Sequence, residues 1–232
     1  MQPLKAVAIM SGGLDSTTLG YFLREQGYQF DVLSFDYGQR HRKELDYAQK
    51  GARTLGAKWN LIDLEAAGLS QLLRGSALTD AAIDVPEGHY AAENMRTTIV
   101  PNRNAVMLAI ACAAAGASGV ETVALAVHSG DHPIYPDCRP EFISSFESME
   151  RVAMEGMARI EILAPFLART KADIVTLGAQ LGVPFAETWS CYKGGDIQCG
   201  ACGTCYERRE AFQLADIPDP TKYLAEPVFE AP

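Results

Sequence analysis

Residues 10–18 read Met-Ser-Gly-Gly-Leu-Asp-Ser-Thr-Thr and directly follow an apolar run from Ala6 to Ile9. This order predicts a buried strand that enters a glycine turn, and a helix that begins at the turn. Backbone N–H groups at such a helix N-terminus point to one spot, where the helix dipole is positive. Gly12 and Gly13 let the backbone approach a phosphate closely, because no Cβ is in the way. The stretch therefore predicts an anion-binding loop, with hydroxyl donors added by Ser11, Ser16, Thr17 and Thr18.

The motif Ser-Gly-Gly-x-Asp-Ser at residues 11–16 differs from two other phosphate-binding patterns. It lacks the Lys-Ser/Thr ending of a Walker A loop, and it is not a Gly-x-Gly-x-x-Gly fingerprint. It resembles the pyrophosphate loop of the N-type ATP pyrophosphatases, which implies an enzyme that splits ATP between its α and β phosphates. Asp15 is expected to orient the loop or to hold a metal ion through water. An ordinary strand-to-helix turn that needs two glycines is the alternative.

Composition and charge narrow the class of protein. The 232 residues are 48% hydrophobic, which suffices for one large α/β domain, or one domain with a small appendage. No apolar run reaches the ~18 residues of a membrane helix, and the N-terminus lacks the order of a signal peptide, so we expect a cytoplasmic protein without a membrane partner. The net charge of −9 disfavours nucleic acid as a partner and favours a small-molecule substrate.

Short apolar runs alternate with amphipathic segments along the chain. Predicted strands are 6–10, 30–36, 58–62, 122–127 and 160–163, and predicted helices are 16–26, 41–55, 100–115, 140–157 and 171–181. The alternation predicts an α/β fold with a doubly wound, mostly parallel sheet, and the resemblance implies the adenine nucleotide alpha hydrolase-like version of it. Ligands of such sheets bind beyond the carboxyl ends of the strands, so the loops there are expected to converge on one crevice. These loops are 11–16, 36–42, 128–139 and 165–171.

We expect two parts in the chain: an ATP pyrophosphatase-like domain over 1–185, and a small zinc-binding appendage with a C-terminal helix over 186–232. The long polar segment Gly75–Thr98 has little periodicity. It predicts a lid or an inserted pocket wall, with a mobile surface loop as the alternative.

Four cysteines near the C-terminus have the spacing C-x7-C-x2-C-x2-C: Cys191, Cys199, Cys202 and Cys205. Four thiolates without a nearby histidine suit one tetrahedral, structural Zn²⁺. An iron–sulfur cluster is the rival, and buried cysteines without metal are the remaining alternative. We expect Cys112 and Cys138 to take part in core packing.

Further strings occur in a fixed order after the phosphate loop. They are Phe-Asp-Tyr-Gly-Gln-Arg-His at 35–41, Val-Pro-Asn-Arg-Asn at 100–104, Tyr-Pro-Asp-Cys-Arg-Pro-Glu-Phe at 135–142, Lys-Ala-Asp-Ile at 171–174 and Thr-Trp-Ser-Cys-Tyr at 188–192. With the loop and the cysteines, this order resembles the 7-cyano-7-deazaguanine synthase family of queuosine precursor biosynthesis, over residues 6 to about 213. The resemblance implies an ATP-dependent ligase that converts 7-carboxy-7-deazaguanine and ammonia into the 7-nitrile, with Mg²⁺ as a further cofactor and a homodimer as the assembly.

The resemblance also implies roles for individual residues. Phosphate binding is assigned to Ser11, Gly12, Gly13, Leu14, Asp15, Ser16 and Thr17. The catalytic set is Asp15, Ser16, Lys171 and Arg103, with Lys171 reaching the α-phosphate and Arg103 contacting phosphate or the substrate carboxylate. The base pocket is assigned to Tyr37, Gln39, Arg40, His41, Asp137 and Arg139. From the residues alone, a solvated Lys171, an ion-paired Arg103 and a surface His41 remain open.

Two stretches depart from the family pattern. Position 102 is Asn where many relatives have Gly, and residues 128–134 read His-Ser-Gly-Asp-His-Pro-Ile. Both lie where substrate is expected. Three rival functions remain: a tRNA-modifying ATP pyrophosphatase of the sulfurtransferase type, a nucleotide-binding module without catalysis, and an amide-forming ligase that stops before the nitrile.

Overall fold

The computed structural model describes residues 4–90 and 92–225, and a five-stranded sheet forms its centre. All strand pairs are parallel, and the order across the sheet is β3-β2-β1-β4-β5. The strands are β1 Leu4–Ile9, β2 Tyr28–Asp36, β3 Lys58–Asp63, β4 Thr122–Ala124 and β5 Glu161–Leu163. The helices are α1 Leu14–Glu25, α2 Glu44–Leu55, α3 Leu69–Leu72, α4 Ala92–Met95, α5 Arg103–Ala117, α6 Pro140–Ala153, α7 Lys171–Gln180 and α8 Gly203–Leu214. The doubly wound, parallel α/β fold is confirmed.

Neighbouring residues of each central strand face opposite sides of the sheet, as the two-residue period of a strand requires. On β1, Val7 packs into the core that α5 and α6 cover, whereas Ala8 packs into the core that α1 and α7 cover. On β4, Val123 and Ala124 divide in the same way. Helices therefore cover both faces, and this leaves the carboxyl edge of the sheet open for a site.

Several predicted bounds differ from the observed ones. Helix α1 begins at Leu14 rather than at residue 16, so Asp15 and Ser16 lie in its first turn. Helix α2 begins at Glu44 rather than at residue 41, because residues 40–43 form turns. It ends, as the glycine predicts, at Gly56 in the left-handed conformation (φ 70°). Strand β4 ends at Ala124 rather than at 127, and α6 ends at Ala153 rather than at 157.

The segment Gly75–Thr98 is built into the fold. Leu78 and Met95 are fully buried, and the N–H of Ala77 donates to the carbonyl of Thr97, which joins the two ends of the segment. Tyr90 reaches inward and donates its hydroxyl proton to Asp131. The segment thus forms a wall on the inner side of the molecule, as the pocket-wall interpretation expects.

Asn102 precedes α5 in the left-handed conformation, with φ 56°. Glycine adopts this conformation without strain, and asparagine is among the few other residues that adopt it readily. The departure from Gly to Asn at this position therefore preserves the backbone path into α5.

None of the helices within residues 4–90 and 92–225 is long and apolar enough to cross a membrane.

Candidate active site

The predicted anion-binding loop lies at the carboxyl end of β1 and is held by its own hydroxyl groups. The N–H of Ser11 donates to Ser16 Oγ (3.2 Å), and the N–H of Gly13 donates to Ser11 Oγ (3.3 Å). Ser16 Oγ in turn donates to the carbonyl of Gly13 (3.3 Å). The first-turn N–H groups of α1 have no acceptor within the helix, so they remain available to an anion at this end of the sheet.

Gly12 fixes where the loop sits in the fold. Its φ of 88° lies in the left-handed region, and a Cβ built there would lie 2.3 Å from the carbonyl oxygen of Glu44 and 2.5 Å from the nitrogen of Ala48. The loop therefore packs backbone to backbone against the first turn of α2. From the other side, the N–H of Trp189 donates to the carbonyl of Gly12 (2.9 Å).

A cluster of charged side chains lies beside the loop. Lys171 opens α7, and its Nζ lies 2.5 Å from Glu207 Oε2 and 3.4 Å from Asp15 Oδ2. Burial opposes a charge on Lys171, but the nearby Asp15, Glu207 and Asp131 outweigh it and hold the lysine pKa above its usual value. Lys171 is therefore a permanent cation at the end of the loop, and the solvated alternative is wrong.

His128 completes this charged cluster. It is fully buried, its Nδ1 accepts the N–H of Gly130 (3.1 Å), and its Nε2 lies 3.5 Å from Asp131 Oδ2 and 3.9 Å from Asp15 Oδ2. Because Nδ1 accepts a bond, the neutral imidazole carries its proton on Nε2 and directs it toward the two carboxylates. The segment 128–134, which departs from the family pattern, thus faces the phosphate loop.

The opposite wall holds a second polar group around Arg103. The guanidinium donates to the hydroxyl of Tyr37 (3.3 Å). Burial opposes its charge, yet the surrounding Tyr37, Tyr192, Tyr135 and Asp137 hold its pKa above the usual value. Within the described residues Arg103 has no carboxylate in salt-bridge range, so its charge is available to a ligand.

His41 and Glu44 lie buried on the same side. His41 Nε2 is 3.4 Å from Glu44 Oε1, and Gln39 Nε2 donates to the same oxygen (3.1 Å). Burial lowers the pKa of His41 to about 3, helped by the charges of Arg103 and Arg40. Burial also raises the pKa of Glu44 to about 8. At neutral pH the two side chains are therefore predominantly uncharged rather than an ion pair, and the surface interpretation of His41 is wrong.

One cavity of about 220 Å³ connects the two walls. Of the residues that the sequence singles out, it is lined by Ser11, Gly13, Leu14, Asp15, Ser16, Tyr37, His41, Arg103 and Lys171. The loop and the two cations thus share one space at the carboxyl edge of the sheet.

The remaining predicted residues are not part of this lining. Gln39 is buried under it and accepts the N–H of Tyr37 (2.8 Å), and Arg40 donates to the carbonyl of Asp80 (3.3 Å). Asp137 accepts the N–H of Asn104 (3.0 Å) at the start of α5, and exposed Arg139 donates to the carbonyl of His132 (2.7 Å). Gly12 is covered by α2, and buried Thr17 donates its N–H to the carbonyl of Gly13.

Sequence reasoning did not select several residues at this cavity: Glu44, Tyr90, His128, Asp131, Tyr192, Thr204 and the adjacent Glu207. His128 and Asp131 do carry a signal, because they lie in the segment that departs from the family pattern. Glu44 and Glu207 lie on helices, where a carboxylate ordinarily faces water, so their burial depends on the three-dimensional fold.

The four predicted cysteines converge near this cavity. Their sulfurs all lie within 4.8 Å of one another, and Cys199 Sγ and Cys205 Sγ are 3.9 Å apart. A tetrahedron with a metal–sulfur distance of about 2.3 Å has edges of about 3.8 Å, so the four sulfurs fit around one ion. The N–H groups of Ala201 and Cys202 donate hydrogen bonds to Cys199 Sγ. Such hydrogen bonds stabilise a thiolate that serves as a metal ligand. The cysteine cluster is therefore able to hold a metal ion.

A short chain segment joins the cysteine cluster to the phosphate loop. Trp189 donates its backbone N–H to Gly12 and its indole N–H to the carbonyl of Cys191 (2.8 Å). Thr204, between Cys202 and Cys205, donates to the carbonyl of Ser190 (2.9 Å), and Ser190 and Thr204 both line the cavity. The position of the four cysteines thus determines part of the cavity wall.

Comparisons with known proteins agree with this architecture. The family described as "Queuosine biosynthesis protein QueC" matches residues 5–216. A 7-cyano-7-deazaguanine synthase of Paracoccus denitrificans is 58% identical over 220 residues, which is 95% of this chain and 93% of the relative. A protein of the same name from Brucella ovis is 56% identical over 220 residues, or 95% of this chain and 94% of the relative.

Among solved structures, the chain is similar to the U34-tRNA thiolase NcsA from Methanococcus maripaludis, whose structure contains a 4Fe-4S cluster. The TM-score is 0.50 at 12% sequence identity, and the match covers 93% of this chain and 66% of that one. At this identity the likeness shows a common fold and nothing of the substrate.

Proposed function

This chain belongs to the QueC family of queuosine biosynthesis proteins, and we propose that it is an ATP-dependent ligase that makes 7-cyano-7-deazaguanine from 7-carboxy-7-deazaguanine and ammonia. Support comes from relatives that carry the synthase name at 56–58% identity over 95% of the chain. Because this identity extends over 95% of the chain, the same substrates are the simplest expectation.

The observation that carries the proposal is the composition of the cavity. One end offers backbone N–H groups and Lys171 to a polyphosphate, and the other end offers the uncompensated guanidinium of Arg103. A guanidinium suits a carboxylate in a bidentate arrangement. A nucleotide and an organic acid can therefore meet in one space, as adenylation of a carboxylate requires.

The proposed chemistry follows from the poor reactivity of a carboxylate. Transfer of AMP to the acid creates a good leaving group, and ammonia then gives the amide. A second adenylation, on the amide oxygen, allows that oxygen to leave and gives the nitrile. The phosphate loop would stabilise the charge that develops on departing pyrophosphate, which is an electrostatic role of a preorganised site.

The proposal includes Mg²⁺ at the phosphate end and Zn²⁺ at the cysteines. Asp15 Oδ1 is buried without a hydrogen-bond partner, and Asp131 lies across His128 from it, so hard oxygen ligands are present for Mg²⁺. When bound, Mg²⁺ supplies charge neutralisation at phosphate oxygens. Four thiolates and no open position suit a structural Zn²⁺, and we propose that it fixes the segment 186–232 against the sheet domain 1–185.

Incubation of the native, metal-containing protein with ATP, Mg²⁺, ammonium and 7-carboxy-7-deazaguanine tests the function. Mass spectrometry should show the nitrile, and nucleotide analysis should show AMP and pyrophosphate, with the amide only as a transient species. An amide that accumulates as the end product would identify the amide-forming ligase. ATP binding without AMP release would identify a nucleotide-binding module, and a tRNA gel shift at moderate salt would identify the tRNA-modifying type.

The homodimer and the cytoplasmic location that the resemblance implies remain part of the proposal. Light scattering coupled to size-exclusion chromatography measures the assembly directly. A monomer at micromolar concentration would remove the dimer without affecting the chemistry, because the residues argued above all belong to one chain.

A further inference from the structure

Glu44 is a buried carboxyl group that lines the cavity without a role in the binding of phosphate or of the carboxylate. It opens α2, only 8% of it is exposed, and its own carbonyl packs on Gly12 of the phosphate loop. The charge of Arg103, on the same side of the cavity, acts on it. Glu44 therefore neighbours the loop through its backbone and the guanidinium through the charge that acts on its side chain, and the proposed acyl adenylate would have to join these two groups.

The side chain of Glu44 is held in one orientation. Its Oε1 accepts a bond from Gln39 Nε2 and lies next to His41 Nε2. Gln39 is itself fixed, since it donates to the carbonyl of Phe35 (3.0 Å) and accepts the N–H of Tyr37. Within the described residues Oε2 of Glu44 receives no donor, so one oxygen is anchored and the other is available to a ligand in the cavity.

The surroundings place the pKa of Glu44 near neutrality. Burial is the largest cause and raises it to about 8; Gln39 and Arg103 lower it, and Asp36 raises it. His41 stays neutral at that pH, and Tyr37, whose pKa burial raises to about 12, stays protonated. A carboxyl group with such a pKa exchanges protons readily with a group that ionises near neutral to mildly basic pH.

We propose that Glu44 is the general base that removes protons from the incoming nitrogen, and that its free oxygen forms the ammonium subsite of the cavity. The inference rests on the proposed function, which consumes ammonia, and it adds the residue that handles the protons. The other carboxylates near the cavity have partners at the phosphate end: Asp15 and Glu207 lie beside Lys171, and Asp131 lies beside the imidazole of His128.

The proton balance requires such a group in both halves of the reaction. The ionised form of Glu44, a minority at neutral pH that grows as the pH approaches 8, takes one proton from ammonium, and the ammonia so formed attacks the adenylated carbonyl carbon. The C–N bond forms, and the bond from carbon to the AMP oxygen breaks with its electron pair on AMP. Glu44 passes the first proton to solvent and takes a second one from the nitrogen, which gives the amide. The amide still carries two N–H protons. Adenylation of its oxygen gives an imidate that loses one of them, and loss of the other accompanies departure of AMP with the C–O electron pair, so that C≡N forms.

His41 is a positioning residue in this arrangement and a poor base, because its lowered pKa leaves the imidazole little affinity for a proton. Its Nδ1 is buried without a partner, so the ring is held by packing, with its plane beside Tyr192 at 5.1 Å between ring centres.

The test compares Glu44→Gln with Glu150→Gln, which alters another buried glutamate, on α6, outside the cavity. The first measurement is acid-dependent exchange of pyrophosphate into ATP without ammonium, which reports adenylation alone. The second is nitrile formation with ammonium. We expect Glu44→Gln to keep exchange within a few-fold of wild type and to lose about 100-fold or more in nitrile formation, the usual range for a lost general base. Glu150→Gln should keep both rates.

Hydroxylamine distinguishes a lost general base from a damaged site, because it is neutral at pH 7 and needs no deprotonation before it attacks. Glu44→Gln should form the hydroxamate from the acyl adenylate at a rate much closer to wild type than its rate with ammonium. Equal losses with both nucleophiles, equal loss of exchange, or an unchanged nitrile rate would each overturn the inference. If wild type itself makes no nitrile, the proposed function fails instead, and the two failures are thus distinguishable.

Discussion

The two ends of the cavity are constructed in different ways. The phosphate end consists of one contiguous turn, whose N–H groups and hydroxyls form a local network at the start of α1. The acid end is assembled from two segments far apart in the chain: Tyr37 and Glu44 lie at the two ends of the β2–α2 connection, and Arg103 opens α5. A backbone site depends on conformation, whereas a side-chain site depends on the desolvation and charge of a few groups. The two ends should therefore respond to different kinds of substitution.

We expect the largest effect from a substitution in the cysteine cluster, because the cluster supports both ends of the cavity. Cys199→Ala takes away one of the four sulfurs of the cluster, which contacts the segment that holds Gly12 and the cavity residue Ser190. We expect loss of bound zinc, loss of solubility and activity at background, because structural zinc contributes directly to folding. Metal analysis by mass spectrometry measures the bound zinc, and circular dichroism measures the folding of the same protein.

Cys112→Ala is the matched control for that experiment, since Cys112 is a buried cysteine in α5 outside the cluster. It should keep zinc and most of its activity. A Cys199→Ala protein that folds and works without metal would show that the two ends of the cavity do not need the cluster.

The next effect concerns the phosphate end alone. Gly12→Ala forces a Cβ into the backbone of α2 at a left-handed φ, so the loop must move. Displacement of a positioned group by about 1 Å costs roughly 100-fold in rate, and we expect at least that loss in pyrophosphate exchange. Gly13→Ala is the control, because its Cβ would meet Ser11 and Trp189 at ordinary distances of 3.4 and 3.5 Å. Similar losses in both variants would mean that steric access to phosphate, rather than loop conformation, decides the rate.

A smaller effect is expected at the acid end. Arg103→Lys keeps the positive charge but loses the planar fork and the bond to the hydroxyl of Tyr37. Loss of a hydrogen bond to a charged group costs about 1.5–3 kcal/mol, so kcat/KM for the acid should fall roughly 10- to 150-fold. Tyr37→Phe removes only the acceptor of the 3.3 Å bond and should cost much less. If Arg103→Lys matches wild type across a full titration of the acid, the guanidinium does not bind the carboxylate.

The same difference between the two ends explains what the sequence predicts and what it does not. The phosphate loop can be predicted from the sequence, because Gly12, Gly13 and Ser16 are close together in the chain and the apolar run before them indicates the strand. The cysteine cluster can be predicted for the same reason, since its four cysteines are close together in the chain. The doubly wound sheet follows from the alternation of strand and helix.

The acid end can be predicted only in part from the sequence. Tyr37, His41 and Arg103 came from the family resemblance, and the structure brings all three to the cavity. Gln39 and Asp137, drawn from the same strings, instead support the lining from behind. Glu44 was missed because a glutamate in the first turn of a helix ordinarily serves the helix dipole, and only the approach of the loop and of α5 buries it.

The smallest expected effect is a gain in stability, and it sets the acid end apart from the phosphate end. Burial raises the pKa of Glu44 to about 8 in the folded protein, so the folded state favours the protonated carboxyl. As pH rises from the ordinary glutamate range toward 8, the unfolded chain releases this proton while the folded protein keeps it, so the protein loses stability that it has at lower pH. Glu44→Gln has no such charge, so its stability relative to wild type should increase across this window and level off above it. We expect Glu44→Gln to gain at least about 1 kcal/mol in free energy of unfolding, or a Tm higher by about 2–4 °C, in scanning calorimetry at pH 9.

Asp46→Asn, which alters an exposed carboxylate on the same turn of α2, should show no such increase with pH. A Glu44→Gln protein that is more stable yet less active would show that the fold tolerates the buried carboxyl for its chemistry, whereas a parallel loss of both would indicate a structural role.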